Sequence, residues 1–141
     1  MTVRQNTNDI LTALNFKNFV ADFISKNGVK VVEDGFTIEV KKEIQAMIVG
    51  FEEEYQRQRL NSSNVLSTLN ITVHYSSEFD ESGVARAIKK LMSINGQTPG
   101  LPTYRIQSIT PMNASVFYST DSTMGQVNGQ VTIQFIYLME L

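Results

Sequence analysis

A chain of 141 residues with 14 acidic and 12 basic side chains, 42% apolar residues and no cysteine has room for one hydrophobic core, since single domains commonly run to about 100–150 residues. Its acidic and basic residues alternate rather than cluster, which excludes the electrostatic footprint of a protein that binds a nucleic-acid backbone or an anionic membrane surface. The lack of cysteine excludes thiolate catalysis, Cys-ligated zinc and a disulfide scaffold; with no run of about 18 apolar residues and no signal-peptide pattern, a cytosol-like compartment is expected.

From Asn8 to Asn27 the residues Ile10, Leu11, Leu14, Phe16, Phe19, Val20, Phe23 and Ile24 recur at steps of three and four, the stripe of an amphipathic helix. Thr7 or Asn8 can cap its start and Asn27-Gly28 supplies a left-handed stop. Val29 to Val32, bounded by Gly28 and Glu33-Asp34-Gly35, predicts a short strand. The next segment supports two readings. Ile44, Met47, Ile48, Phe51 and Tyr55 match a helical stripe, whereas Ile48-Val49-Gly50 is poor in a helix interior and suits a strand buried on both faces.

Leu69 to Tyr75 alternates, with Leu69, Ile71, Val73 and Tyr75 on one face and Asn70, Thr72 and His74 on the other. Asp80-Glu81-Ser82 then opens a second helix with the stripe Val84, Ala87, Ile88 and Leu91 and the stop Asn95-Gly96. Gln97 to Pro102 is a loop leading into extended chain over Tyr104 to Ile109. Ser115 to Ser119 and Val131 to Tyr137 predict a closing hairpin whose polar tip, Thr120 to Gly129, has Gly125 and Asn128-Gly129 for tight turns. No Lys or Arg follows Arg105, so the closing strands lack the positive charges that discourage strand addition. The whole predicts an α+β fold, a mainly antiparallel sheet with two amphipathic helices packed on it, in a single domain over residues 1–141.

Little in this chain points to chemistry. His74 is the one histidine, and its place on the polar face of a strand suits an ordinary surface or interface side chain better than a base. Glu52-Glu53-Glu54 alternate on a strand and fan out on a helix, so they form a solvated charged face rather than a cation site. Gly28, Gly35, Gly96 and Gly100 build no phosphate loop. Phe16, Phe19, Phe23, Tyr75 and Tyr137 sit at core spacing rather than as a base-stacking platform, and Ser82 and Ser115 lie outside any nucleophile-elbow pattern. No catalytic centre, cofactor or metal is expected. Surfaces are offered instead: the polar stretches Glu52 to Asn64 and Thr120 to Gly129 exceed the loop length that compact domains usually need.

In its order of elements the chain resembles the tail-terminator family of long-tailed phages, the lambda-like type. The resemblance runs through the N-terminal helix, Ala46-Met47-Ile48-Val49-Gly50-Phe51-Glu52-Glu53-Glu54-Tyr55, the alternating strand Leu69 to Tyr75, the helix Asp80 to Asn95 and the terminal run Ile133 to Tyr137. It implies that the ambiguous segment is a strand. It implies a structural virion protein, made in the host cytoplasm, that forms a homohexameric ring on the head-proximal end of the tail tube. There it would stop polymerisation of the tube protein and present a surface to the head-tail connector. Contacts between subunits or with the tube are then expected at Glu53, Glu54, Arg57 and Arg59, which can form alternating charge pairs, and at Asp121 and Gln126 in the hairpin tip. The alternatives are another neck component, such as a connector or tail-completion protein, a minor tail protein, or a small-molecule-binding α+β domain.

Overall fold

The apolar stripe near the N-terminus folds as helix α1 (Thr12–Lys26), which buries Phe16, Phe19, Val20 and Ile24. These coordinates are a computed structural model and describe residues 12–33, 44–57, 64–77, 81–102, 105–118 and 127–140. The expected caps Thr7 and Asn8 lie outside them. Leu14, expected in the buried stripe, is exposed, because it stands two residues before Phe16 and therefore more than half a turn around the helix. The stop is as expected: Asn27 and Gly28 donate their amides to the carbonyls of Ile24 and Ser25, and Gly28 adopts φ 86°, a conformation that costs glycine nothing.

Strand β1 (Lys30–Val31) follows and lies parallel to β2 (Gln45–Arg57). Strand β2 pairs antiparallel with β3 (Asn64–Ser77), which leads into helix α2 (Glu81–Met92). Strands β4 (Arg105–Tyr118) and β5 (Val127–Glu140) complete a five-stranded sheet in the order β1-β2-β3-β5-β4. The fold is thus α+β with a mixed sheet that is antiparallel except at the β1–β2 pair.

The core lies between this sheet and the two helices. Leu69, Ile71, Val73 and Tyr75 of β3 and Val131, Ile133, Phe135 and Tyr137 of β5 all point into it, with Val84, Ile88 and Leu91 of α2. The ring of Phe16 sits 4.9 Å from that of Phe135 and 5.1 Å from that of Tyr137, distances at which aromatic pairs add to burial.

Several expectations change. The ambiguous segment is a strand, and its helical look comes from a bulge: one extra residue between Ile48 and Gly50 shifts the alternation by one position. Gly50 lets the strands pack closely there: a Cβ would stand 3.1 Å from Thr72 Cβ and Oγ1, so Thr72 would have to give by a few tenths of an ångström. The stretch Glu52 to Asn64 is not a long loop, since β2 continues through Arg57 and β3 already starts at Asn64. The extended pieces Tyr104 to Ile109 and Ser115 to Ser119 are not two strands. From Arg105 to Tyr118 the chain is one edge strand, bulged between Ile106 and Ser108 and between Pro111 and Asn113, and an edge tolerates the missing amide of Pro111. Asn128-Gly129 is not a turn but part of β5. Helix α2 ends before Asn95-Gly96: the amide and hydroxyl of Ser93 both donate to the carbonyl of Lys90, which closes the helix early.

Candidate interaction surfaces

The far end of β2 is tied to its neighbours through one carboxylate. Glu53 faces the helix side of the sheet opposite Leu69, as Tyr55 does opposite Ser67 and Tyr137 beyond it. Its carboxylate accepts hydrogen bonds from Tyr55 Oη at 2.5 Å, Ser67 Oγ at 2.6 Å and Tyr137 Oη. Three hydroxyl donors satisfy the anion where it leaves water, and charge-assisted bonds of this kind are the stronger ones. That is why an acidic residue can stand in the strand at this point.

The network marks its tyrosines. The hydrogen bond to Glu53, aided by burial and the nearby negative charge, pushes Tyr55 up to about 12 from an ordinary value of 10.0. Burial, then the bond to Glu53, also raises Tyr137, and burial raises Tyr75. The unfolded chain ionises its tyrosines first, so their contribution to stability is complete below about pH 10 and is lost as pH rises through the folded values. An alkaline titration should therefore show tyrosinate absorbance for Tyr75 and Tyr137 appearing only with loss of circular dichroism. Ionisation of all tyrosines near pH 10 with the fold intact would count against the network.

The helix-free face of the sheet has a different character. Directly opposed pairs on β3 and β5 are joined by side-chain hydrogen bonds: Asn70 with Gln134 at 3.2 Å, Thr72 with Thr132 at 2.9 Å and His74 with Gln130 at 2.6 Å. Amides and hydroxyls thus form a flat ladder that β4 extends with Thr110, Asn113 and Ser115. The partner of His74 is a neutral amide, so this ladder gives it no carboxylate to act with as a charged pair.

Strand β4 is the exposed edge. No described strand pairs with its outer side, and Thr110, Met112, Asn113, Ala114, Ser115 and Phe117 are all exposed, Phe117 at 63%. Ala114 is exposed although it stands opposite the buried Val131, while Val116 on the same face is half-buried against the core. Pro111 and the bulges blunt the first half of the edge. From Asn113 to Tyr118 the chain has neither charge nor proline. Beside the first half lies a groove of about 540 Å³ lined by Thr98, Leu101, Pro102, Ile106 and Ile109 among others.

Of the residues expected at contacts, Glu53 is half-buried in its intramolecular network, whereas Glu54 and Glu52 are exposed on the helix-free face. Arg57 closes β2 opposite Val65, and Arg59, Asp121 and Gln126 lie outside the described residues. Of the described pair, Glu53 and Glu54 face opposite sides of the sheet. What residue-by-residue reading missed is the partnership of Glu53 with Ser67 and Tyr137, 14 and 84 positions away in the chain, for which the sequence carries no local signal. Among the described residues no group of three or more His, Asp or Glu side chains could hold a metal ion, and no described helix is long and apolar enough to cross a membrane. Comparison with models of known protein families and with curated proteins gives no match.

Proposed function

We propose that this protein is a structural virion component, a tail terminator that closes into a ring at the head-proximal end of a phage tail. The observation that carries the reading is the pair of open sheet edges. Beyond Ala46 no described strand lies against β2, and none lies against the outer side of β4. Strands β2 and β5 run one way and β3 and β4 the other, so in a ring whose axis follows the strands, β4 meets β2 of the next copy antiparallel. Such a contact is heterologous and closes on itself under cyclic symmetry. Arg105, opposite Leu138, lies level with Gln56 across β5 and β3, beside Glu54 on the same face. An Arg105–Glu54 pair across the joint would set register more than affinity, since exposed ion pairs contribute about 0–1 kcal/mol.

The ring has six subunits if the resemblance to lambda-like tail terminators holds, and it acts by binding without turnover: it occupies the place of the next tube ring. Its partners are further copies of itself, the tail tube protein and the head-tail connector. The test is genetic. Deleting the gene from the phage that encodes it should give tails of uncontrolled length that fail to join heads, and Ser115→Lys, which places a charge on the β4 edge, should reproduce the defect with a normally folded subunit. Tails of normal length that fail to join heads would indicate a connector or tail-completion protein. Normal infectious particles would rule out both.

A further inference from the structure

A second surface lies where the end of α1 meets α2, beside the start of β1. It is a cleft of about 280 Å³ whose lining includes Asn27, Gly28, Val29, Arg86, Ala87 and Lys90. Arg86 and Lys90 are one helical turn apart on α2 and share a face, with Lys89 adjoining. Like charges at this spacing oppose helix formation. Lys89 and Lys90 lie in the last turn, where the helix dipole favours cations, but Arg86 Nη1 donates only to the neutral Ser82 Oγ at 3.2 Å, and among the described residues no carboxylate pairs with Arg86, Lys89 or Lys90.

Their side chains are not needed as donors to the ends of either helix. At the end of α1 the carbonyls of Phe23, Ile24 and Ser25 already accept from Asn27 Nδ2, Asn27 N and Gly28 N. At the end of α2 the carbonyls of Lys90 and Leu91 accept from Ser93 and Ile94. Lys90 also lines a small apolar gap with Phe23, Ala87 and Leu91, so its stem lies on apolar surface while the residue also lines the cleft.

We propose that this cleft docks an acidic peptide segment of a partner protein, with a glutamate or aspartate carboxylate between Arg86 and Lys90 and its aliphatic stem against Val29 and Ala87. Arg supplies a planar fork matched to a carboxylate and Lys a point charge beside it. A protein partner is favoured over nucleic acid because the cations form one compact group rather than the extended track that a phosphate backbone requires. The site is independent of the ring contacts and stands whether or not the ring reading holds.

The full-length protein would be titrated with a fluorescently labelled peptide alternating Glu and Ala, followed by polarisation. Saturable binding is expected that weakens between about 50 and about 500 mM salt. Arg86→Glu/Lys90→Glu should weaken it at least about tenfold, and Arg86→Gln/Lys90→Gln should do so in the same direction without introducing new charge. Lys17→Glu, on α1 over the ring of Phe51, should leave it unchanged, with circular dichroism confirming that each variant is folded. No saturable binding, or binding insensitive to both double substitutions, overturns the proposal. Tighter binding of a length-matched oligothymidylate, or displacement of the peptide by millimolar inorganic phosphate, overturns it in favour of a phosphate site.

Discussion

Gly129→Val should destabilise the protein by about 1–3 kcal/mol, the usual range for overpacking a filled core. Gly129 lies in β5 directly beneath α2: a Cβ there would overlap Ile88 Cδ1 and stand 3.0 Å from Val84 Cγ1 and 3.4 Å from the carbonyl oxygen of Ser115. Ile88 is buried, so either its terminal methyl turns within the filled core or the helix lifts from the sheet, and the 3.0 Å approach to Val84 remains. Gly129→Ala should act in the same direction with a smaller effect. The informative measurement is a double-mutant cycle. Ile88→Val alone should cost about 0.5–1.5 kcal/mol by leaving a gap, yet combined with Gly129→Ala it removes the clashing methyl, so the pair should cost clearly less than the sum. Strict additivity would mean that α2 does not rest on Gly129.

Phe135→Ala should cost about 3–5 kcal/mol, read as a shift of the urea midpoint with an unchanged slope. Phe135 is fully buried. Its ring meets Phe16 at 4.9 Å and the edge of Phe19 at 6.5 Å, and in register it stands opposite Leu69 on β3 and Ile109 on β4. Its truncation opens a cavity where α1 sits on the sheet. Since whole domains are stable by only about 5–15 kcal/mol, this one ring carries a large share. Tyr137→Phe, which keeps the ring and removes the hydroxyl with its bonds to Glu53 and Ser67, should cost less, about 0.5–3 kcal/mol for hydrogen bonding to a charged group. A wild-type midpoint for Phe135→Ala would mean that the facing of β5 is wrong.

Both predictions rest on elements that differ in how far they could be read in advance. The facing of β3 and β5 was legible, because strict alternation over Leu69 to Tyr75 and Val131 to Tyr137 leaves one way to bury the apolar set. The buried faces of both helices were legible for the same kind of reason, with Leu14 as the exception. The absence of Lys and Arg after Arg105 was visible in the residues alone, whereas the ring itself came from the resemblance.

Strand β2 shows where local pattern fails. Its core-side positions run Ala46, Ile48, then Phe51, Glu53 and Tyr55 after the bulge, so the steps from Ile44 through Ile48 and Phe51 to Tyr55 are four, three and four. Those are helical steps, produced by a strand that skips one position. Only pairing with β3, where Gly50 lets Thr72 approach, decides between the two. The same holds for Asn128-Gly129, whose composition signals a tight turn but whose glycine is there because Val84 and Ile88 press against the sheet from a helix about 40 residues earlier in the chain. By itself, then, the sequence determined which faces are apolar, where the chain is free of charge and that two helices accompany a sheet, because these depend on neighbours a few residues away. Strand length, bulge position, the partners of Glu53 and the union of two short segments into the open edge β4 were decided by the tertiary structure, because each depends on contacts between residues far apart in the chain, which spacing along one strand does not encode.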